Sequence, residues 1–208
     1  MTAHGFSADG LSRLRLQRRL LFPAIAAAAL AVAGCKDAPV ETTGTTTPGG
    51  APISIEAIAS QAQGFSLGSA AMARTAYVFF DPQCPHCAAL WTAARPLRTQ
   101  SRFVWVPVGL LNDKSTLQGA ALLAATDPAA AMDQHEVSLR EQRGGIGPRG
   151  GTEAQQEAVK RNTALMTRLG FASVPTVVAR HAQTGAIVTI EGSAATPVLA
   201  ERLGLQAP

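Results

Sequence analysis

The chain has 208 residues, of which 47% are hydrophobic and 5% aromatic, and its formal net charge is +4. This length fits one domain plus a leader, and the apolar content is enough for a packed core. Four arginines lie before residue 35 against a single acidic residue, Asp9, and the rest of the chain carries 14 basic and 13 acidic residues. The distribution of charge therefore gives no basic surface for nucleic acid, and no nucleic-acid partner is expected.

The first 34 residues have the features of a secretory signal peptide. Arginines precede the apolar stretch LFPAIAAAALAVAG, which is short for a bilayer span and is interrupted by Pro23. The segment VAGC, ending at Cys35, resembles the lipobox of bacterial lipoproteins, in which the cysteine is lipidated and becomes the new N-terminus. An ordinary secretory peptide with a chance cysteine is the alternative. We expect residues 1–34 to be a lipoprotein-type signal peptide and Cys35 to carry a lipid anchor.

A tether and the start of a folded domain follow the leader. Residues 35–52 are rich in Thr, Gly and Pro without an apolar period, which predicts a flexible tether. The folded domain is expected over residues 53–208. Its first segment, ISIEAIASQ (53–61), predicts a short helix, and TAYVFF (75–80) predicts a buried strand.

A helix and a second strand come next. PHCAALWTAARPLRTQ (85–100) predicts a helix with Pro85 in its first turn and a kink at Pro96. RFVWVPVGL (102–110) predicts another buried strand.

The second half of the chain predicts a helical block, a hairpin and a final helix. Residues 114–168 are mostly helical in pattern, with a glycine-rich stretch at 143–151 that lacks the GK[ST] ending of a phosphate-binding loop and is expected to be a flexible connector. SVPTVVAR (173–180) and GAIVTIEG (185–192) predict strands, and TPVLAERLGL (196–205) a helix. The alternation predicts an α/β sandwich around a mixed sheet, and the order of elements is similar to a thioredoxin-like fold with a helical insertion.

Two cysteines, Cys84 and Cys87, lie at the start of the predicted helix. This spacing brings both sulfurs within bonding reach and puts the first beside unpaired backbone N–H groups at the positive end of the helix dipole. Both effects stabilise a thiolate, so the pKa of Cys84 is expected below about 8.5. Cys84 is then the attacking thiolate and Cys87 the residue that resolves the mixed disulfide. His86 adds positive charge or a hydrogen bond, and Pro85 stiffens the turn.

A cysteine pair at this spacing can also bind a metal or form a structural disulfide. A zinc site needs four ligands, and His135 and His181 are expected to be isolated surface residues, so neither a metal site nor a cofactor is predicted. A structural disulfide would close a loop too small to stabilise much. A copper carrier that uses the same two thiolates stays open as an alternative. With Cys35 lipidated, Cys84 and Cys87 would be the one remaining pair in an oxidising compartment.

The segment FFDPQCPHCAALW (79–91), together with SVPT (173–176), resembles the Dsb family of bacterial periplasmic thiol:disulfide interchange proteins. The Phe-Asp-Pro approach and the tryptophan after the motif are most similar to the DsbG and DsbC branch of the thioredoxin superfamily, whereas the Pro-His dipeptide is the one found in DsbA. The resemblance implies that Pro175 is cis and faces the cysteines, and that the backbone of Val174 pairs with an extended substrate.

The same resemblance implies a function, and this sequence departs from the family pattern at two points. It implies a periplasmic thiol:disulfide oxidoreductase that acts on exported proteins and is reset by a membrane redox partner, with a membrane-anchored reductant of the cytochrome-maturation type as the alternative. The position six residues before the first cysteine, usually a buried acid, is Val78, and Asp81 is either the nearest replacement or a cap before a turn. About 40 residues separate Cys35 from Thr75. That is too few for the dimerisation domain of the DsbG and DsbC branch, so a monomer is expected.

Overall fold

The computed structural model describes residues 52–208. The predicted leader, the Cys35 anchor and nearly all of the predicted tether lie outside these residues. The elements in chain order are α1 (Ile55–Gln61), β1 (Phe65–Leu67), β2 (Thr75–Phe80), α2 (Pro85–Ala94), a 3-10 helix (Arg95–Thr99), β3 (Arg102–Pro107), α3 (Asp113–Ala124), α4 (Pro128–Arg140), α5 (Glu153–Arg168), β4 (Thr176–Arg180), β5 (Ile187–Glu191) and α6 (Thr196–Leu203).

The five strands form one mixed sheet in the order β1-β3-β2-β4-β5. β2 and β3 are parallel, with Thr75 opposite Arg102 and Phe80 opposite Pro107. The other three pairs are antiparallel. β2 therefore lies in the centre of the sheet, which explains why residues 76–80 form an unbroken buried apolar run rather than an alternating one.

Successive side chains of β2 point to opposite faces of the sheet, so each face has its own core. Val78 and Phe80 belong to the core that contains Trp91 of α2 and residues of α4 and α6. Phe79 belongs to the other core, with α1 and with Leu165 of α5. The result is the predicted α/β sandwich, and the helices α3, α4 and α5 form the predicted insertion between β3 and β4.

The fold differs from the predicted elements in three places. β1 was not predicted, because it is three residues long and its residues alternate in burial. The predicted kink at Pro96 is a change of helix type, since α2 ends at Ala94 and the chain continues as a 3-10 helix. Among residues 52–208, no helix is both long and apolar enough to span a bilayer.

The third difference is the glycine-rich stretch, which is anchored rather than a flexible connector. The Gln118 side-chain amide donates to the carbonyls of Gly144 and Ile146, at 2.7 and 3.0 Å. The Ser138 hydroxyl donates to the carbonyl of Gly145 at 3.0 Å. Gly145 has a φ of +87°, and a Cβ atom there would lie 2.5 Å from the ring of His135. Only glycine permits this close approach of the loop to α4.

Candidate active site

The two cysteines are held by the first turn of α2. Cys84 is the N-cap residue, with an extended backbone (φ −93°, ψ 116°), and Pro85 occupies the first turn. The carbonyl oxygen of Cys84 accepts the N–H groups of Cys87 at 3.0 Å and Ala88 at 3.3 Å. Both cysteines are free thiols, and they are only 4% and 1% exposed. The two sulfurs thus share one side of a helix start, as the spacing predicted.

The environment of Cys84 favours its thiolate. A hydrogen bond from the Cys87 thiol is the largest influence, and with further help from the backbone N–H groups of Cys87 and His86 it lowers the pKa of Cys84 to about 6 against the opposing effect of burial. The positive charge of His86 acts in the same direction but is the smallest of these influences. Backbone donors at a helix start are the expected source of such stabilisation.

Cys87 has the opposite character. Burial is the main cause that raises the pKa of the Cys87 thiol, and its hydrogen bond to Cys84 and the charge of Cys84 act in the same direction. Cys87 therefore keeps its proton whenever Cys84 is ionised. The pair combines one thiolate with one thiol donor, which is the asymmetry that disulfide exchange uses.

The proline loop lies against the same sulfur. The Val174–Pro175 peptide bond is cis, as the resemblance implies, and the thiol of Cys84 donates to the carbonyl oxygen of Val174 at 3.6 Å. Val174 precedes β4, whose first residue is Thr176, and is only partly buried. The structure therefore brings Cys84, Pro85, His86 and Cys87 together with Val174 and Pro175.

Asp81 orders the segment that leads into the motif. Its buried carboxylate accepts the backbone N–H groups of Gln83 (2.8 Å), Leu110 (2.8 Å) and Leu111 (2.9 Å) and the hydroxyl of Ser115 (2.7 Å). Its carbonyl oxygen also accepts the N–H of Cys84 at 3.0 Å. Of the two roles left open by the sequence, these contacts correspond to the turn-forming one, and the charge of Asp81 also raises the pKa of Cys87.

His135 is not the isolated surface residue that the sequence suggested. It is fully buried, its Nε2 atom donates to the carbonyl of Pro82, at 2.6 Å, and its Nδ1 atom accepts the N–H of Ile146 at 3.1 Å. Burial lowers the pKa of His135, which keeps the ring neutral. His135 thus joins α4 to the loop before Cys84. His181 is partly exposed and accepts backbone N–H groups in the turn after β4.

Glu136 is a second buried polar residue that the sequence predictions missed. It is 6% exposed, and its Oε2 atom has no hydrogen-bond partner within residues 52–208. Burial is the main cause that raises the pKa of Glu136 to about 7; the charge of Arg140 lowers this pKa, and the charges of Cys84 and Asp133 contribute to the rise. The spacing of Met132, His135 and Leu139 around Glu136 follows a helical period, and this was the available signal that Glu136 lies on the buried face of α4.

A cavity of about 680 Å³ lies between the start of α2 and α4. Its lining residues are Gln83, Pro85, Ala88, Ala89, Thr92, Glu136, Leu139 and Arg140. The cavity thus adjoins the cysteine motif and is lined in part by Glu136. Within the described part of the chain, no group of three or more His, Cys, Asp or Glu side chains is arranged to hold a metal ion.

Comparison with known proteins agrees with the resemblance. No family model matches the chain. The thiol:disulfide interchange protein DsbG of Pseudomonas aeruginosa is 32% identical over 142 residues, which are 66% of this chain and 54% of that protein. DsbG of Escherichia coli is 34% identical over 105 residues, which are 49% of this chain and 41% of that protein. The matched segments thus span about half the length of these curated relatives.

Solved structures confirm the predicted fold. The crystal structure of a periplasmic thioredoxin-like protein from Salmonella enterica serovar Typhimurium matches with a TM-score of 0.54 and 17% identity, over 68% of this chain and 88% of that one. The five-stranded mixed sheet, the helices on both faces and the helical insertion are therefore a thioredoxin-like fold.

Proposed function

Given this similarity to the Dsb-type thiol:disulfide interchange proteins, we propose that the chain is a thiol:disulfide oxidoreductase whose Cys84–Cys87 pair exchanges disulfides with exported proteins. One observation carries the proposal. At the start of α2, the pKa of Cys84 is lowered to about 6 while that of Cys87 is raised. One sulfur is therefore a nucleophile and leaving group, and the other is a proton-bearing partner.

The exchange proceeds through a mixed disulfide on Cys84. In the oxidised protein, a substrate thiolate attacks the Cys84 sulfur, the Cys84–Cys87 bond breaks, and Cys87 takes up a proton because of its raised pKa. A second substrate thiolate then attacks the substrate sulfur, and Cys84 leaves as a thiolate. The substrate loses two electrons and two protons; the pair gains both electrons and one proton, and the other proton goes to solvent.

The lowered pKa of Cys84 favours the oxidising direction. Only the reduced protein contains the thiolate, so stabilising it raises the reduction potential. With a pKa of about 6 in place of 9.0, the reduced form gains about 1.4 kcal/mol at pH 7, or about 30 mV for a two-electron couple. We expect a potential above that of thioredoxin, which is about −270 mV. A potential as low as that value would favour the alternative of a dedicated reductant.

Val174 and Pro175 form the substrate side of the proposed site. The Val174 carbonyl faces the Cys84 sulfur at 3.6 Å, so a chain joined to that sulfur would lie along this backbone. Backbone pairing of an extended segment gives affinity without demanding a particular sequence. This suits an enzyme that acts on many exported proteins.

The remaining proposals concern location and partners. The apolar leader and VAGC favour export to the periplasm with a lipid on Cys35, and a structural neighbour is described as periplasmic. We propose that a membrane redox partner resets the cysteine pair, because each catalytic cycle leaves it in the reduced state. We also propose that the protein is a monomer. Residues 35–52 are then a tether between the membrane and the catalytic domain, which begins at residue 53.

Two serine variants test the enzyme proposal. Cys84→Ser should abolish both the reduction of protein disulfides and the oxidation of protein thiols, because the attacking sulfur is gone. Cys87→Ser should instead accumulate mixed disulfides with substrates, seen as higher-mass species on non-reducing gels. Loss of activity without trapped species in Cys87→Ser would contradict the assigned order of attack. Stoichiometric Cu(I) binding with no disulfide exchange in the wild type would favour the copper carrier instead.

A further inference from the structure

Glu136 is the one carboxyl group in the wall of the cavity beside the cysteine motif, among residues 52–208. Glu136 is only 6% exposed, and its Oε2 atom has no hydrogen-bond donor in the described part of the chain. Because an unpaired buried carboxylate is costly, burial favours the protonated, neutral form of Glu136. A carboxyl in this state responds to any charge that forms nearby.

The charged groups that face Glu136 come from two elements. On its own helix, Arg140 favours its ionised form and Asp133 opposes it. Asp133 is already engaged, since it accepts from the Trp91 indole at 2.8 Å and pairs with Arg95. From the start of α2, the Cys84 charge opposes ionisation of Glu136.

The two histidines nearest in sequence to these groups do not neutralise Glu136. His135 is neutral, because burial lowers its pKa and its Nδ1 atom accepts a backbone N–H. His86 is exposed at the surface of α2. Neither histidine therefore offsets the repulsion between the Glu136 carboxylate and the Cys84 thiolate, and Arg140 offsets it only in part.

On the basis of the proposed function, we propose that Glu136 is a third titrating group of the Cys84–Cys87 centre and that its negative charge destabilises the Cys84 thiolate. Glu136 acts through Cys84 and is a positioning residue, not a group that touches the reacting atoms. Its carboxyl therefore sets how strongly the pair oxidises at a given pH.

The redox consequence follows from counting charges in the two states. In the oxidised protein the Cys84–Cys87 bond carries no charge. Two electrons break that bond and yield a thiolate on Cys84 and, with one proton, a thiol on Cys87. Above the pKa of Glu136, reduction thus creates a second negative charge beside the first, whereas below it the thiolate stands alone. Ionised Glu136 consequently favours the disulfide, and reduction raises the pKa of Glu136.

The test compares the wild type with Glu136→Gln in the full-length protein. Glutamine keeps the shape of the side chain and removes the charge. At pH 8 we expect the variant to have a lower Cys84 pKa by about half a unit, and its equilibrium with glutathione to shift about threefold toward the reduced protein. At pH 5.5 the two proteins should agree within about 1.5-fold, because Glu136 is then neutral and Cys84 is mostly a thiol. A purely structural role of Glu136 would shift the equilibrium with glutathione by the same factor at both pH values, and that result would overturn the proposal.

A control variant and a second measurement complete the design. Glu141→Gln removes the same charge from an exposed residue at the end of α4 and should leave the equilibrium unchanged at both pH values. In the wild type, the carboxyl resonance of Glu136 should titrate at a higher pH in the reduced protein than in the oxidised protein. Equal values in the two states would refute the coupling even if the variant failed to fold. None of these readouts uses a protein substrate, so a failure of disulfide exchange with proteins would be recognised separately.

Discussion

Replacing Cys87 by alanine should raise the pKa of Cys84 by about 1 to 2 units. The Cys87 thiol is the largest influence that lowers the pKa of Cys84 to about 6. A hydrogen bond to a charged group is worth about 1.5 to 3 kcal/mol, and one pKa unit corresponds to about 1.4 kcal/mol. The backbone N–H groups at the start of α2 stay in place, so part of the stabilisation remains. At pH 7 the ionised fraction of Cys84 should fall from about 90% to about half or less.

The matched variant is Cys87→Ser, which keeps a hydroxyl donor at the same place. Its Cys84 pKa should lie between those of the wild type and Cys87→Ala. The measurement is the rate of Cys84 alkylation against pH, followed on the peptide that carries this residue, with ultraviolet thiolate absorbance as a second readout. If Cys84 still titrates near pH 6 in Cys87→Ala, the thiol donor is not the main stabilising group. A larger effect from His86→Ala than from Cys87→Ala would likewise refute the reasoning, because the His86 charge is the smallest influence.

Three further predictions concern stability, anchoring and assembly. Asp81→Ala should lower the free energy of unfolding by about 3 kcal/mol or more, because it leaves three backbone donors and the Ser115 hydroxyl without their acceptor; urea denaturation measures this, and a loss below about 1 kcal/mol would contradict it. Labelled palmitate should enter the wild type, and Cys35→Ser should release a soluble form or block processing; a wild type without lipid would end the anchor proposal. The processed protein should scatter light as a monomer at micromolar concentration, and a stable dimer would reopen an isomerase of the dimeric kind.

The sequence was sufficient for the parts of the fold that rest on local patterns. The apolar run of β2 and the proline after Cys84 placed a strand directly before a helix, and the structure has both within the predicted bounds. The resemblance supplied the cis bond before Pro175, which no local pattern would have revealed. β1 was missed because a three-residue strand owes its existence to pairing with β3 rather than to its own sequence.

The environment of the cysteines depends on contacts between distant segments, and these could not be predicted. His135 occurs in a polar stretch of α4, and it is buried because the carbonyl of Pro82 and the N–H of Ile146 supply partners for its ring. Glu136 lines a cavity together with the start of α2, which lies about 50 residues earlier in the chain. Composition correctly marks both residue types as polar. The helical period marks the buried face of α4, but only tertiary packing decides which groups these two side chains meet.

The packing of the central strand explains why no acidic residue lies six positions before Cys84. The position six residues before Cys84 is Val78, which is fully buried in the central strand and packs in the core shared with α2. A carboxylate there would lie among apolar side chains with its charge unpaired, at a cost of several kcal/mol unless it stayed protonated. On α4, Glu136 lines the cavity beside the motif, where Arg140 partly offsets the cost of its charge. Replacing Glu136 by glutamine should therefore alter the reduction potential while leaving the fold of β2 and α2 intact.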